Sequence, residues 1–403
     1  MEMKKYKLGE IAEIEISGVD KKTKEGEIPV KLCNFVDVYH NWAITKDLYD
    51  EFMDASARQS EIDIYKLKKG QVAFTKDSET RDDIGIPTYI ADNFDDVILG
   101  YHTALVTPNR EFLNGKYLNA FMNSRYIQKY FEFNASGSGQ RYTLSNDTLN
   151  NIPILAPDLN TQSKIGELFS SLDKKIALNS RINARLEQMA KNLYEHYFVQ
   201  FDFPTEDGKP YKTSGGKMVY SSELKREIPE GWEVKRLGEL NVVSRGTTIT
   251  QKQTTKGNIK VVAGGLTYSY TNGESNRRKN CITVSGSGEN AGFVNFWREP
   301  IFASDCSTVQ FEDDFDTIIC YFNLKMHEHI FFRNSHKSAQ PHVYPSDIKE
   351  IPFVIPPKEV KEKIKDLFLK ANDKIAILQQ ESARLTSLRD RLLPLLMNGQ
   401  VSV

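Results

Sequence analysis

Cysteine is scarce: four in 403 residues, Cys33, Cys281, Cys306 and Cys320. They lie far apart, with no C-x-x-C pair and no histidine at zinc-finger spacing, which excludes a disulfide framework and a structural zinc site. Free thiols in a reducing compartment are expected. No run of about 18 apolar residues occurs, and residues 1–7 are charged and lack the apolar stretch of a secretory signal. The expectation is therefore a cytoplasmic chain with no membrane partner. Charge of one sign is missing too: 53 basic side chains face 54 acidic ones, a net charge of -1. Binding of nucleic acid by bulk charge is excluded, so any such contact must come from local patches or be shared with partners. Also absent are the G-x-x-x-x-G-K-[ST] phosphate loop and the Asn/Asp-Pro-Pro-Tyr/Phe tetrapeptide that holds a flipped adenine.

What is present is a repeat. Residues 118–147 match 318–347 at a constant offset, with Asn123/Asn323, Phe131/Phe331, Asn134/Asn334, Ser138/Ser338, Gln140/Gln340 and Asp147/Asp347 identical. After a one-residue slip, Ile152-Pro153 pairs with Ile351-Pro352, Lys175-Ile176-Ala177 with Lys374-Ile375-Ala376, and Ala184-Arg185-Leu186 with Ala383-Arg384-Leu385. Upstream, Lys7-Leu8-Gly9-Glu10-Ile11 answers Arg236-Leu237-Gly238-Glu239-Leu240 at a larger offset, so the first half carries an insertion of roughly thirty residues.

Each half opens with short aromatic and β-branched runs broken by Gly, Asn and Asp, which predict strands and turns. The run from Val72 to Gly85 resembles that from Ile282 to Gly292. Each half closes with a long helix. Ile165, Leu172, Leu186 and Leu193 fall at heptad spacing with Phe169, Ile176, Ala190 and Tyr197 as companion row. Ile364, Ala371, Leu378, Leu385 and Leu392, with Phe368, Ile375 and Leu396, repeat the pattern. Sustained heptads predict a paired coiled coil, with Asn179, Asn183 and Ser382 as polar interruptions that set register. Pro157 and Pro356-Pro357 end the preceding strand and let each helix begin.

The expected fold class is α+β with a pseudo-two-fold internal repeat: a strand-rich domain at 1–157, a helix at 158–198, a linker at 199–231, a second strand-rich domain at 232–357 and a second helix at 358–403. The two helices should form an antiparallel pair. The linker, with Pro204, Gly208, Pro210, Gly215-Gly216 and Pro229, reads as a tether whose Phe201, Phe203, Tyr211 and Tyr220 pack along a surface.

With this layout, Phe201-Asp202-Phe203-Pro204, Gly208-Lys209-Pro210-Tyr211-Lys212, Gly215-Gly216-Lys217-Met218 and Ile228-Pro229-Glu230-Gly231-Trp232-Glu233 resemble the linker of specificity subunits from type I restriction-modification systems. The resemblance covers essentially the whole chain. One departure is that Thr161-Gln162 and Val360-Lys361 stand where many members carry Glu-Gln. The resemblance implies a non-catalytic reader of double-stranded DNA with a bipartite target. It implies two methyltransferase subunits and two restriction/translocase subunits as partners. No cofactor is expected on this chain; S-adenosylmethionine, ATP and magnesium belong to those partners.

Other constellations carry less. Residues 286–292, rich in glycine, lie between two strand-like runs without opening a helix; a nucleotide site, a DNA-facing loop and a plain hairpin turn all stay open. His327, His329, His336 and His342 have no carboxylate or thiol at ligand spacing, so surface or DNA-facing roles are preferred to metal binding. Glu328 reads as a solvated helix residue and Cys306 as a buried small residue.

Base reading needs donors and acceptors at base edges, with basic residues on phosphates. In the first domain the candidates are Thr75, Lys76 and Arg81, Tyr101 and His102, and Ser138, Gln140, Arg141 and Tyr142. In the second they are Arg245 and Thr247, Arg277 and Arg278, Ser285, Ser287 and Asn290, and Lys337, Gln340 and His342. Gln140 and Gln340, kept in both halves, suit structure or phosphate contact better than base choice. A helix of about 36 residues spans on the order of 54 Å. The pair would act as a ruler between half-sites about one DNA turn, roughly 10 bp, apart. The rival reading is a coiled-coil scaffold for protein partners without DNA specificity. Loops that diverge between the halves argue against it.

Overall fold

The two heptad runs form two long helices, α1 (Leu159–Tyr194) and α2 (Lys358–Met397). A computed structural model describes residues 2–139, 141–335 and 341–402. Asp158 caps α1, its carboxylate accepting from the Thr161 amide at 3.0 Å and the Thr161 hydroxyl at 2.6 Å. Gln162 and Lys361 are anchors at the start of each helix. Gln162 donates to the carbonyls of Phe112 and Pro157, and Lys361 pairs with Asp313 and Asp316 at 2.7 Å each.

The chain folds as two units, Met1–Leu178 with Glu381–Val403, and Asn179–Gln380, so each unit takes part of both helices. In the first unit β1 (Ala12–Ile16), β2 (Ala43–Ile44), β3 (Val72–Thr75), β4 (Pro87–Ile90) and β5 (Thr103–Pro108) form a sheet in the order β1-β5-β3-β4-β2. A three-stranded sheet of Met53–Ala57, Ile28–Cys33 and Val97–Leu99 lies with it. The core joins Phe74, Phe121 and Phe131 to Ile165 and Phe169 of α1 and to Leu393, Leu396 and Met397 of α2. Here the helices run antiparallel: Lys175 of α1 meets Glu381 of α2 at 3.5 Å, while Arg389, further along α2, acts on Asp173, earlier on α1.

In the second unit β6 (Val243–Arg245), β7 (Cys281–Ser285), β8 (Val294–Trp297) and β9 (Cys306–Val309) take the order β6-β9-β7-β8. Ile259–Val262, Tyr268–Asn272 and Ile301–Ala303 form the companion sheet. The helix Asp314–Ser335 packs its Phe315 against Phe368 of α2, and Tyr197 reaches the same Phe368 ring with centroids 6.5 Å apart. The linker is more than a tether. Phe201 and Phe203 are buried against Trp232, Met218–Ser221 and Arg226–Pro229 form a hairpin, and Arg226 donates to the carbonyls of Phe198 and Val199. Tyr220, at 70 % exposure, is the linker aromatic that does not pack.

The repeat is visible in the registers. Thr103 of β5 lies opposite Thr75 of β3 as Cys306 of β9 lies opposite Ser285 of β7. Gly85 bonds to the Thr75 carbonyl as Gly292 bonds to that of Ser285. The one-residue slip falls earlier than the identities suggest. Leu144 bonds to the Lys76 carbonyl as Val343 bonds to that of Gly286, so Asp147 and Asp347 are not counterparts. The largest share of the extra length in the first half lies between Ile28–Cys33 and β3, where it builds the helices Phe35–His40 and Gln59–Tyr65. All four cysteines are free and buried.

Candidate nucleic-acid interface

In the first unit the hairpin joining β3 to β4 faces the turn before β5. Asp77 sits at the meeting point. Its carboxylate lies 2.5 Å from His102 Nδ1, 3.3 Å from Lys76 Nζ and 3.6 Å from Arg141. Burial works to raise the Asp77 pKa, but hydrogen bonds from Thr143 and His102 and the nearby Lys76 ammonium outweigh it, so the carboxyl titrates below its ordinary value. His102 adopts a left-handed backbone, φ 65°, unusual for a residue with a side chain. Arg141 leans on the imidazole, 2.7 and 2.8 Å from its two nitrogens. The inserted helix supplies the facing wall through Phe35, Val36, Tyr39 and His40, with the Tyr39 hydroxyl donating to Asp83 at 2.9 Å. Together they bound an open cleft of about 590 Å³. At its margin Arg81 lies over the Tyr142 ring at 5.0 Å and Lys21 over Tyr101 at 5.3 Å, pairing cations with aromatic faces.

The second unit has a cleft at the matching place, about 200 Å³, lined by Arg245, Gly286, Ser287, Asp305, His342 and Tyr344 among others. Ser287 Oγ donates to Asp305 at 3.3 Å, Arg245 reaches the same carboxylate at 3.8 Å, and the His342 ring stacks on Tyr344 at 5.9 Å. Residues 286–292 close the β7–β8 hairpin rather than open a helix, which removes the phosphate-loop geometry a nucleotide site needs.

The sequence candidates therefore divide. Lys76, Arg81, Tyr101, His102, Arg141 and Tyr142 come together around the first cleft, and Arg245, Ser287 and His342 around the second. Thr247 is exposed next to β6, and Asn290 lies in the β7–β8 turn. Thr75 and Ser285 are corrected to framework positions. Both are buried, at 0 % and 4 % exposure, and the Thr75 hydroxyl accepts from the Ile86 amide at 3.0 Å. Arg277 and Arg278 remain at the surface but are tied into the fold. Arg277 spends its guanidinium on Thr308, Asn276, Ser244 and the Arg245 carbonyl, and Arg278 spends its own on Asp314 and the carbonyls of Phe311 and Glu312. Glu328 is not a solvated helix residue: it accepts from the Val294 amide at 2.7 Å and from Lys325 at 2.8 Å, tying helix to strand. Ser138 is placed by backbone pairing with Arg141. Gln140, Lys337 and Gln340 lie outside the described residues. Sequence reasoning missed Asp77, Asp305 and Tyr39; the signal for the first two was their place beside strands whose repeat register was already legible.

Among the described residues no group of His, Cys, Asp and Glu is arranged to hold a metal, and no helix is long and apolar enough to cross a membrane. The model of the type I restriction modification DNA specificity domain matches residues 1–188 and 229–387. The chain is 26% identical over 329 residues to the type I restriction enzyme MjaIX specificity subunit of Methanocaldococcus jannaschii, covering 74% of this chain and 73% of that one. It is 23% identical over 416 residues to the HindI specificity subunit of Haemophilus influenzae, covering 83% and 87%. Its fold is similar to the crystal structure of a type I restriction-modification S subunit from M. genitalium, with a TM-score of 0.61 and 14% identity over 98% of this chain and 96% of that one.

Proposed function

Since the chain belongs to the type I restriction-modification DNA specificity family, we propose that its two clefts read the two halves of a bipartite target in double-stranded DNA. It is a recognition chain and not an enzyme, in line with relatives named as specificity subunits. One observation carries the reading: the clefts occupy the same place in the repeated sheets but are lined by different polar groups, Asp77, His102 and Arg141 in one and Ser287, Asp305 and Arg245 in the other. A shared frame with exchanged donors and acceptors is what two readers of different sequences require.

Two methyltransferase subunits and two restriction/translocase subunits complete the proposed assembly, and they carry S-adenosylmethionine, ATP and magnesium. The repeat gives this chain two similar surfaces on which identical partners can dock. The unbroken α1 helix supports the further proposal that helix length sets the gap between half-sites. A near-neutral charge of -1 fits weak binding by the lone chain, with partners adding phosphate contacts. The rival scaffold reading gives no account of the divergent clefts. Methylation-sensitive sequencing of DNA from cells holding this chain and its methyltransferase tests the proposal. An interrupted motif with adenine marks on both strands is the expected result; an uninterrupted motif, or no mark dependent on this chain, contradicts it.

A further inference from the structure

Within each cleft one side chain, at the turn immediately before a sheet strand, is held by a residue of the facing hairpin and overhung by an arginine. In the first unit these are His102, Asp77 and Arg141; in the second, Asp305, Ser287 and Arg245. Register makes the first two pairs equivalent. His102 precedes Thr103, which lies opposite Thr75, and Asp305 precedes Cys306, which lies opposite Ser285. Asp77 and Ser287 each stand two residues beyond those partners. The arginines reach the same place from unrelated elements, Arg141 from the strand Arg141–Thr143 and Arg245 from β6. The turn residue and its holder are therefore features of the fold, while their chemistry differs between the units.

We propose that this turn position, His102 in the first unit and Asp305 in the second, selects a base in each half-site, with Asp77 and Ser287 as positioning residues. The inference rests on the reading that the clefts face DNA. A carboxylate only accepts hydrogen bonds, and in the major groove the exocyclic amines of cytosine and adenine are the donors it can meet. Asp305 thus selects cytosine or adenine. On His102, the Nδ1 hydrogen is donated to Asp77, so Nε2 is the nitrogen presented to a base: an acceptor on the neutral ring, a donor on the imidazolium. The left-handed backbone at His102 fixes the direction of the ring, a local strain of the kind concentrated at functional positions. Arg141 is 63% exposed at its side chain and can leave the imidazole for a phosphate when a base arrives.

The test uses the chain assembled with its methyltransferase and a randomised target library, comparing His102→Asp, Asp305→His and Asp77→Asn with Arg141→Ala and Arg245→Ala. Asp305→His should lose cytosine or adenine at one position of the second half-site, weakening the original target roughly ten- to hundredfold. The first half-site should stay as it was. His102→Asp should bring cytosine or adenine to one position of the first half-site alone. Asp77→Asn should blur that same position while thermal unfolding shows the fold retained. If both exchange variants keep both half-sites while the arginine variants still weaken DNA binding, the clefts touch DNA but the turn residues do not choose the base, and the inference falls. If the arginine variants also bind as before, the reading of the clefts falls with it.

Discussion

A Cβ placed on Gly292 would lie 2.6 Å from the Cβ of Phe331, so the β7–β8 hairpin is clamped against the helix Asp314–Ser335 at a point where only hydrogen fits. In the first unit a Cβ on Gly85 would likewise meet Phe131, here at 2.2 Å from the ring carbon Cδ2. Both glycines have left-handed backbones, φ 95° and 76°, and both close the hairpin that carries the residue at the heart of a cleft.

Gly292→Ala should therefore lower the thermal midpoint, since strain and overpacking together cost about 1–3 kcal/mol or more. For Gly85→Ala, combination with Phe131→Ala should give a loss smaller than the sum of the two single losses, because the second change removes the ring that the new Cβ would meet. Additive losses would show that the contact is not what limits the position.

Two arginines that look alike in sequence should separate in experiment. Arg277→Ala strips donors from Ser244, Thr308 and two carbonyls and should lower the unfolding midpoint while leaving the recognised sequence unchanged. Arg245→Ala, at a side chain 70% exposed, should leave stability alone and weaken DNA binding with a shallower salt dependence. Matched behaviour of the two in unfolding and binding assays would contradict the assignment.

Asp173 gives the pH dependence. Burial pushes its carboxyl up to about 6 from an ordinary 3.8, with Arg389 acting in the opposite direction. The folded chain thus holds this proton more tightly than the unfolded chain. Its contribution is most favourable below the ordinary value and is lost as pH rises through about 6. Asp173→Asn should raise the unfolding midpoint at pH 7 and flatten its change between pH 4 and pH 6; a variant less stable at pH 7 would overturn this.

Much of this was legible in the sequence. The heptads gave α1 and α2, and the likeness of Val72 to Gly85 with Ile282 to Gly292 located the paired hairpins. Burial was harder to read. Thr75 and Ser285 are polar and sit beside loops, yet each ends a strand that is buried on both faces. Arg277 and Arg278 look like a free basic patch, but hydroxyls, carbonyls and the Asp314 carboxylate engage their donors, and most of those partners lie about thirty residues away in sequence. Asp77 and Asp305 escaped notice because an acidic residue repels phosphate, and its value as a base acceptor or holder emerges only when its neighbours are in place. The wall formed by Phe35 and Tyr39 comes from an insertion with no counterpart in the other half, so the repeat could not point to it.

If helix length sets the gap, adding four residues to α1 near Asn179 and four to α2 near 378–382 lengthens the spacer by about 6 Å. The gap between half-sites should grow by roughly one or two base pairs at about 3.4 Å each, with the half-sites themselves unchanged. An unchanged gap in mapped methylation sites would reject the ruler.

The most direct measurement is a domain exchange read by methylation mapping. Residues 1–157 are replaced by the corresponding segment of a relative whose core accepts Leu393, Leu396 and Met397, the α2 residues that complete the first unit. Cells carrying the chimera and the methyltransferase are then sequenced for adenine marks. One half-site should change and the other should remain, with the gap preserved. Both halves changing together, or neither changing, would contradict the claim that each cleft reads its own half of the target.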